Sequence, residues 1–249
     1  MKRKHDNNND TVSKRLKKFP IVHQFWHDVD RPPVSKIELP VDRLNSTLSI
    51  LQQGYQVWFW SYQKIGNFPI KSQLVQKNAA DIFPLEEFKK YKPHTVHVCS
   101  VSKSEPHISQ FANYFGMMVI YEHGGWWIDN DMYCLSPLPV PVKSDRGIIF
   151  ALSPERKNDG HCDKYLLYNN ACTEENAGGT GYFALSCFYA LPKHRLIKHI
   201  LQIMRERFVL RDFGYYTVFN DEAYKLMRDM KYTRSVRHPS HFGQVVCMW

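Results

Sequence analysis

The 249-residue chain has no apolar run approaching the ~20 residues needed to cross a bilayer, so no membrane span is expected. No apolar stretch follows its basic start, so no secretory leader is expected either. Its six cysteines (Cys99, Cys134, Cys162, Cys172, Cys187 and Cys247) form no CxxC pair and no tight framework. That spacing argues against a disulfide-stapled scaffold and for reduced thiols, mostly core fillers. It also argues against a zinc site, although Cys162 stands between His161 and Asp163. No internal repeat is visible. These absences leave a cytoplasmic location as the expectation, with nuclear entry as the alternative.

Excess positive charge is scarce outside one segment. Formal net charge is +9, yet residues 1–18 hold seven basic side chains against Asp6 and Asp10, and so carry five of those nine charges. Almost free of apolar residues, this segment reads as a disordered tail. Its two basic clusters suit nuclear import or polyanion binding as well as plain solubility. Residues 19–249 then form a single domain. Hydrophobic residues make up 43% of the chain, enough for a sizeable core, and aromatic residues 14%, which suggests wide apolar surfaces or ring-stacking sites.

"FPIVHQFW" (19–26) reads as a first buried strand, ended by His27, Asp28 and the "RPP" turn. Leu44, Leu48 and Leu51 recur at helical spacing before Gly54, and "YQVWFWS" (55–61) follows as a second strand. "TVHVC" (95–99) is a further strand candidate. Ser109–His123 reads as a helix with Phe111, Phe115, Met118 and Val119 on one face, ended by Gly124-Gly125. "WWID" then enters the sheet. "GIIFALS" (147–153) and "GYFALS" (181–186) are strand candidates, "HRLIKHILQIMRERF" (194–208) is an amphipathic helix, and "NDEAYKLMRDM" (220–230) is a helix capped by Asn220. Residues 154–180 read as a long polar loop. The helix-to-strand alternation predicts an α/β fold with a mostly parallel central sheet flanked by helices.

Chemistry concentrates in "YEHGGWWIDNDMYCLSPL" (121–138). Read as strand, Asp129 and Asp131 point to the same face, with Cα atoms ~6.6 Å apart at ~3.3 Å per residue. That distance suits a shared arrangement: one carboxylate on a divalent ion, the other acting through water or a ligand hydroxyl. Hard carboxylate oxygens select Mg²⁺ or Mn²⁺ and leave positions for substrate phosphates. Spacing alone equally fits a strand-end turn whose side chains bond local backbone, and Asp28-Val29-Asp30 repeats the pattern. Position favours a ligand site without closing the other reading, because the acids end an α-to-β unit, where ligands of open α/β sheets collect.

The same stretch resembles the glycosyltransferases with a DXD sugar-binding region, a family that includes fungal outer-chain mannosyltransferases and, more remotely, the glucosylating domains of clostridial toxins. The resemblance lies in Tyr121, Gly124, Gly125, Trp126, Trp127, Asp129, Asp131 and Ser136-Pro137-Leu138. His23, Gln24 and Trp26 match the family's opening strand. "ALPKHRLIKHIL" (190–201) resembles its later helix start, and "FGYYTVFN" (213–220) echoes another segment. The resemblance implies a GT-A fold, a UDP- or GDP-sugar donor, a Mn²⁺ or Mg²⁺ ion and transfer, with retention, to an acceptor glycan or protein that the sequence does not identify.

It also implies roles. Asp131 ligates the metal, and Asp129 contacts the ribose or reaches the metal through water; these two are the catalytic candidates. His23, Gln24, Trp26, Asn113, Gly124 and Gly125 join Asp129 as donor-binding candidates, with Gln24 to His27 beside the base and ribose. His241 is the further metal candidate, with His238 and Trp249 as loose counterparts of a C-terminal His and Trp. Asn170, Asn176, Asp221 and Glu222 are polar residues that could meet donor or acceptor. The chain departs from the family where a helix Asp and Arg would hold donor hydroxyls: it has Asn113 and Gly116. That departure sets a nucleotide-sugar-binding module with impaired turnover beside the enzyme, and the basic charge and the aromatics add a second alternative, a nucleic-acid binder acting through the basic tail.

Overall fold

The computed structural model describes residues 20–33, 35–91, 108–139, 141, 146–153, 182–209, 226, 229–230, 236–237 and 245–247. The tail, "TVHVC", the polar loop, nearly all of 220–230, and Asn170, Asn176, Asp221, Glu222, His238, His241 and Trp249 lie outside them.

The strands are β1 (Val22–Phe25), β2 (Lys36–Ile37), β3 (Val57–Ser61), β4 (Lys64–Ile65), β5 (Leu74–Asn78), β6 (Gly125–Ile128), β7 (Met132–Cys134), β8 (Ile148–Ser153), β9 (Tyr182–Ala190), β10 (Val236–Arg237) and β11 (Val245–Cys247). The helices are α1 (Val41–Gln52), α2 (Leu85–Tyr91), α3 (Ile108–His123) and α4 (Arg195–Val209). Among the described residues, seven strands form the central sheet in the order β10-β8-β9-β6-β1-β3-β5. β6, β1, β3 and β5 run parallel, as do β10 and β8, while β9 is antiparallel to both of its neighbours. This is the mixed α/β, mostly parallel architecture that the alternation predicts.

Side-chain alternation sends the strands' residues to two cores. Phe25, Trp60, Trp127, Phe150 and Phe188 pack with Phe111, Phe115 and Val119 of α3 and with Leu196, Ile197, Ile200 and Met204 of α4. Val22, Val57, Phe59, Trp126 and Ile128 pack on the other face with Ile50 and Leu51 of α1. Burial of α3 extends beyond the expected stripe, to Met117 and Ile120 as well.

From β1 the chain crosses one face through α1 to β3. It later returns across the opposite face through α3 and enters β6 on the other side of β1. The strand order therefore reverses between β1 and β6, which makes their carboxyl ends a topological switch point, the usual ligand crevice of an open α/β sheet.

Candidate functional site

β6 is fixed at both ends. At its start, Gly124 (φ 67°) closes α3 by donating its N–H to Ile120 O at 2.8 Å, and Gly125 has φ 98°. A Cβ on Gly124 would lie 2.5 Å from Pro192, and one on Gly125 2.4 Å from Ile21 O. Left-handed backbone and close approach thus account for both glycines. They sit ~13 Å from the acids along the strand, so the structure does not bring them to the carboxylates.

The acids follow the strand rather than lie in it. β6 ends at Ile128, and Met132 N–H donates to Asp129 O at 3.0 Å, closing a turn over Asp129-Asn130-Asp131. The strand-based spacing is corrected accordingly. Asn and Asp favour turns because their short polar side chains accept local bonds and tolerate unusual backbone. The backbone of Asp129 is tied down by its N–H to Ser186 O, 2.8 Å.

Around the acids the electrostatics are unequal. The Asp129 carboxyl is pushed up to about 7, first by loss of solvent and then by Asp131, while a hydrogen bond from Trp127 and the charge of Arg43 pull it back. Trp127 Nε1 donates to Asp129 Oδ1 at 2.8 Å. Asp131 is 37% exposed and accepts Arg43 Nη1 on Oδ2 at 3.1 Å. The Arg43 guanidinium also lies 3.4 Å from Asp42 Oδ2 and 5.2 Å above the ring of Trp26.

A polar clamp from α1 holds the turn. Asn130 Nδ2 donates to Arg43 O (3.2 Å) and Thr47 Oγ1 (3.3 Å), and Ser46 Oγ donates to Met132 O at 2.6 Å. Cys134 N–H donates to Ser49 Oγ, and Tyr133 OH to Asp42 O, both at 2.9 Å. Gln24, fully buried in β1, completes the net: its Nε2 donates to Ser46 Oγ at 3.1 Å, and its Oε1 accepts from Thr47 Oγ1 at 2.8 Å. Gln24 thus steadies the turn through α1. Buried Asn130 Oδ1 has no partner among the described residues, an acceptor left over beside the carboxylates.

His23 is fully buried on the opposite face. Trp60 Nε1 donates to its Nδ1 at 3.1 Å, so its Nε2 carries the proton and donates to Gly124 O at 2.9 Å. Burial lowers it to about 3 and keeps it neutral. Both ring nitrogens are therefore used inside the protein. His27, at the carboxyl end of β1, is buried between Tyr62 and Phe88 with Nδ1 unpartnered among the described residues, and burial lowers it to about 4.

Asn113 is buried on α3. It precedes Gly124 by eleven residues, ~16 Å of helix, which returns it to about the level of the acids. Gly116 lies against Trp127, whose ring atoms would be 2.6 Å from an added Cβ. The indole fills the space that a side chain at 116 would need.

The structure thus gathers Trp26, Asp129 and Asp131 with Arg43, and reaches them through Gln24. Arg43, the α1 hydroxyls and the bond from Trp127 to Asp129 are absent from the sequence reading. Ser46, Thr47 and Ser49 amid the leucines of α1 were the available signal. Among the described residues no group of three or more His, Cys, Asp or Glu is placed to hold a metal ion, and no helix is long and apolar enough to cross a membrane.

No family model and no curated protein matches the chain. Among solved structures it is similar to a "PaToxG Glycosyltransferase", with 12% identity, a TM-score of 0.46, and 89% of this chain and 74% of that one covered. A likeness this weak says nothing of the reaction, which must be argued from the side chains themselves.

Proposed function

We propose that this chain is a metal-dependent glycosyltransferase of the GT-A type. It moves a sugar, with retention, from a UDP- or GDP-linked donor to an acceptor glycan or protein. The observation that supports this best is the placement of Asp129 and Asp131 in one clamped turn at the β1/β6 switch point.

The side chains present fit a divalent ion. Two hard carboxylates stand in one turn, and the charge of Asp131 adds to the burial that pushes Asp129 upward, a repulsion that a cation would relieve. Mg²⁺ and Mn²⁺ are commonly held by one or two carboxylates, with water and phosphate oxygens completing the shell, so two acids suffice. Asp131, the more accessible, is the direct ligand. Asp129, oriented by Trp127, takes the ribose or an ion-bound water. A bound ion would stabilise the charge that gathers on the diphosphate as it leaves the sugar. Trp26 offers a ring surface for the base, and Asn113 an amide for the donor sugar. His241 remains the additional metal candidate.

A thermal-shift series with UDP- and GDP-sugars, with and without Mn²⁺, tests the proposal. A donor at ~100 times its dissociation constant adds ~2.7 kcal/mol to stability, and the gain should require Mn²⁺. No shift with any nucleotide in the presence of metal counts against it. Asp131→Ala should abolish the metal requirement together with sugar transfer; transfer that survives unchanged removes Asp131 as the ligand.

One observation favours a second reading, a binding module with impaired turnover. The Trp127 indole occupies the space beside Gly116, so nothing at that helix position reaches a donor sugar. Such a module would bind the nucleotide sugar yet release no free nucleotide, with or without acceptors.

A further inference from the structure

We infer that Arg43 is a two-position cation: it neutralises Asp131 while the site lacks a metal ion, and it transfers to the donor's diphosphate once an ion occupies Asp131. The inference rests on the proposed metal and nucleotide-sugar reading and assigns the residue that couples the two ligands.

Several observations converge on Arg43. It stands in the first turn of α1, the end of a helix where a cation is least favoured, so its position needs another reason. Its backbone is anchored, because Arg43 O accepts a bond from Asn130 Nδ2. Among the described residues its side chain is held by Asp131 Oδ2 through Nη1, by Asp42 Oδ2 through Nε and by the face of Trp26. Nη2 has no acceptor among the described residues. The Arg43 side chain is one-quarter exposed and that of Asp131 37%, so solvent reaches the pair and weakens it.

A divalent ion on Asp131 competes with the guanidinium for the same carboxylate. Once displaced, Arg43 keeps its anchored backbone beside the turn and presents a planar fork suited to phosphate oxygens. Those oxygens arrive on the ion itself, so the displaced cation finds its next partner where the first was lost. Metal and diphosphate should therefore each favour the other's binding, a reciprocal coupling.

The test is a Mn²⁺ titration of the full chain followed by electron paramagnetic resonance, without nucleotide, and then UDP and GDP titrations at saturating Mn²⁺. Thermal melts confirm that each variant is folded. Arg43→Gln should bind Mn²⁺ about two- to fivefold more tightly than the wild type, the range set by losing a partly exposed ion pair. It should bind the nucleoside diphosphate about tenfold more weakly, having lost a charge-assisted phosphate contact. Arg43→Lys, which keeps the charge, should follow the wild type in the Mn²⁺ titration and fall between the two for the diphosphate. Equal or weaker Mn²⁺ binding by Arg43→Gln overturns the inference, since the guanidinium would then merely position Asp131. Unchanged diphosphate affinity overturns it as well. If neither protein binds Mn²⁺ while both bind UDP or GDP, the metal reading itself fails and the inference with it.

Discussion

On the α3 side of β6 the neighbours are rings and aliphatic chains: Trp127 lies against Phe115 and the bare backbone of Gly116. On the α1 side, beyond Trp126 and Ile128, hydroxyls and amides run from Gln24 through Ser46 and Thr47 to Asn130. Adjacent residues of β1 show the same division, with His23 serving one face and Gln24 the other. The apolar face fixes where β6 lies. The polar face fixes how its final turn is presented, because hydrogen bonds have direction and apolar contacts largely do not. The two faces should therefore fail differently when altered.

Volume should dominate on the α3 face. Trp127→Ala removes a fully buried indole and should cost ~3–5 kcal/mol by chemical denaturation, the largest effect expected here. Gly116→Ala probes the same contact from the helix side, since its Cβ meets the indole at 2.6 Å; overpacking of this kind costs ~1–3 kcal/mol. A neutral Gly116→Ala would mean that the ring slides away freely, and the contrast between the faces would be lost.

On the α1 face polarity should matter more than volume. Gln24→Met keeps similar bulk but removes the bonds to Ser46 and Thr47, a change worth ~1–3 kcal/mol when buried partners are stranded. Its more telling consequence is looser presentation of Asp129-Asn130-Asp131, read as faster amide hydrogen exchange at Met132 than in Gly116→Ala at matched stability. Equal exchange in the two variants would show that the clamp does not control the turn.

The same division explains what the sequence disclosed. Apolar periodicity announced α3 and α4 because burial selects side-chain type residue by residue: Phe111, Phe115, Leu196 and Ile200 sit as their spacing demands. β5, with the sequence LVQKN, escaped because a short, half-exposed strand lacks a strong alternation. That β9 runs antiparallel between β6 and β8 is decided by long-range pairing, which no local pattern encodes. For the site, the two acids stood out by their context. Yet the strand alternation of Gly125–Ile128 does not say where the strand ends, so the turn was read as strand. Arg43 lies 87 positions before Asn130 and joins it only through the fold.

The last expected effect concerns charge, and it sharpens the contrast by opposite signs. His23 and His27 are lowered by burial, so on acidification from about pH 6.5 the unfolded chain takes up protons that the folded one refuses, and stability falls. Asp129 is raised to about 7, so between about pH 4 and pH 7 the folded chain holds a proton that the unfolded one releases. Its contribution is fully present below the unfolded carboxylate's range and is lost as pH rises through 7. These slopes oppose one another across pH 4 to 6.5, so the wild-type profile alone is ambiguous, whereas its difference from Asp129→Asn isolates the acid. That difference should fall steadily from pH 4 to pH 7, with the wild type losing ground to the variant, and level off above. Trp127→Phe should extend the fall to higher pH, because the lost indole N–H is one of the groups holding the Asp129 carboxyl down. A flat difference would mean that Asp129 is ionised throughout, with Arg43 already balancing both acids.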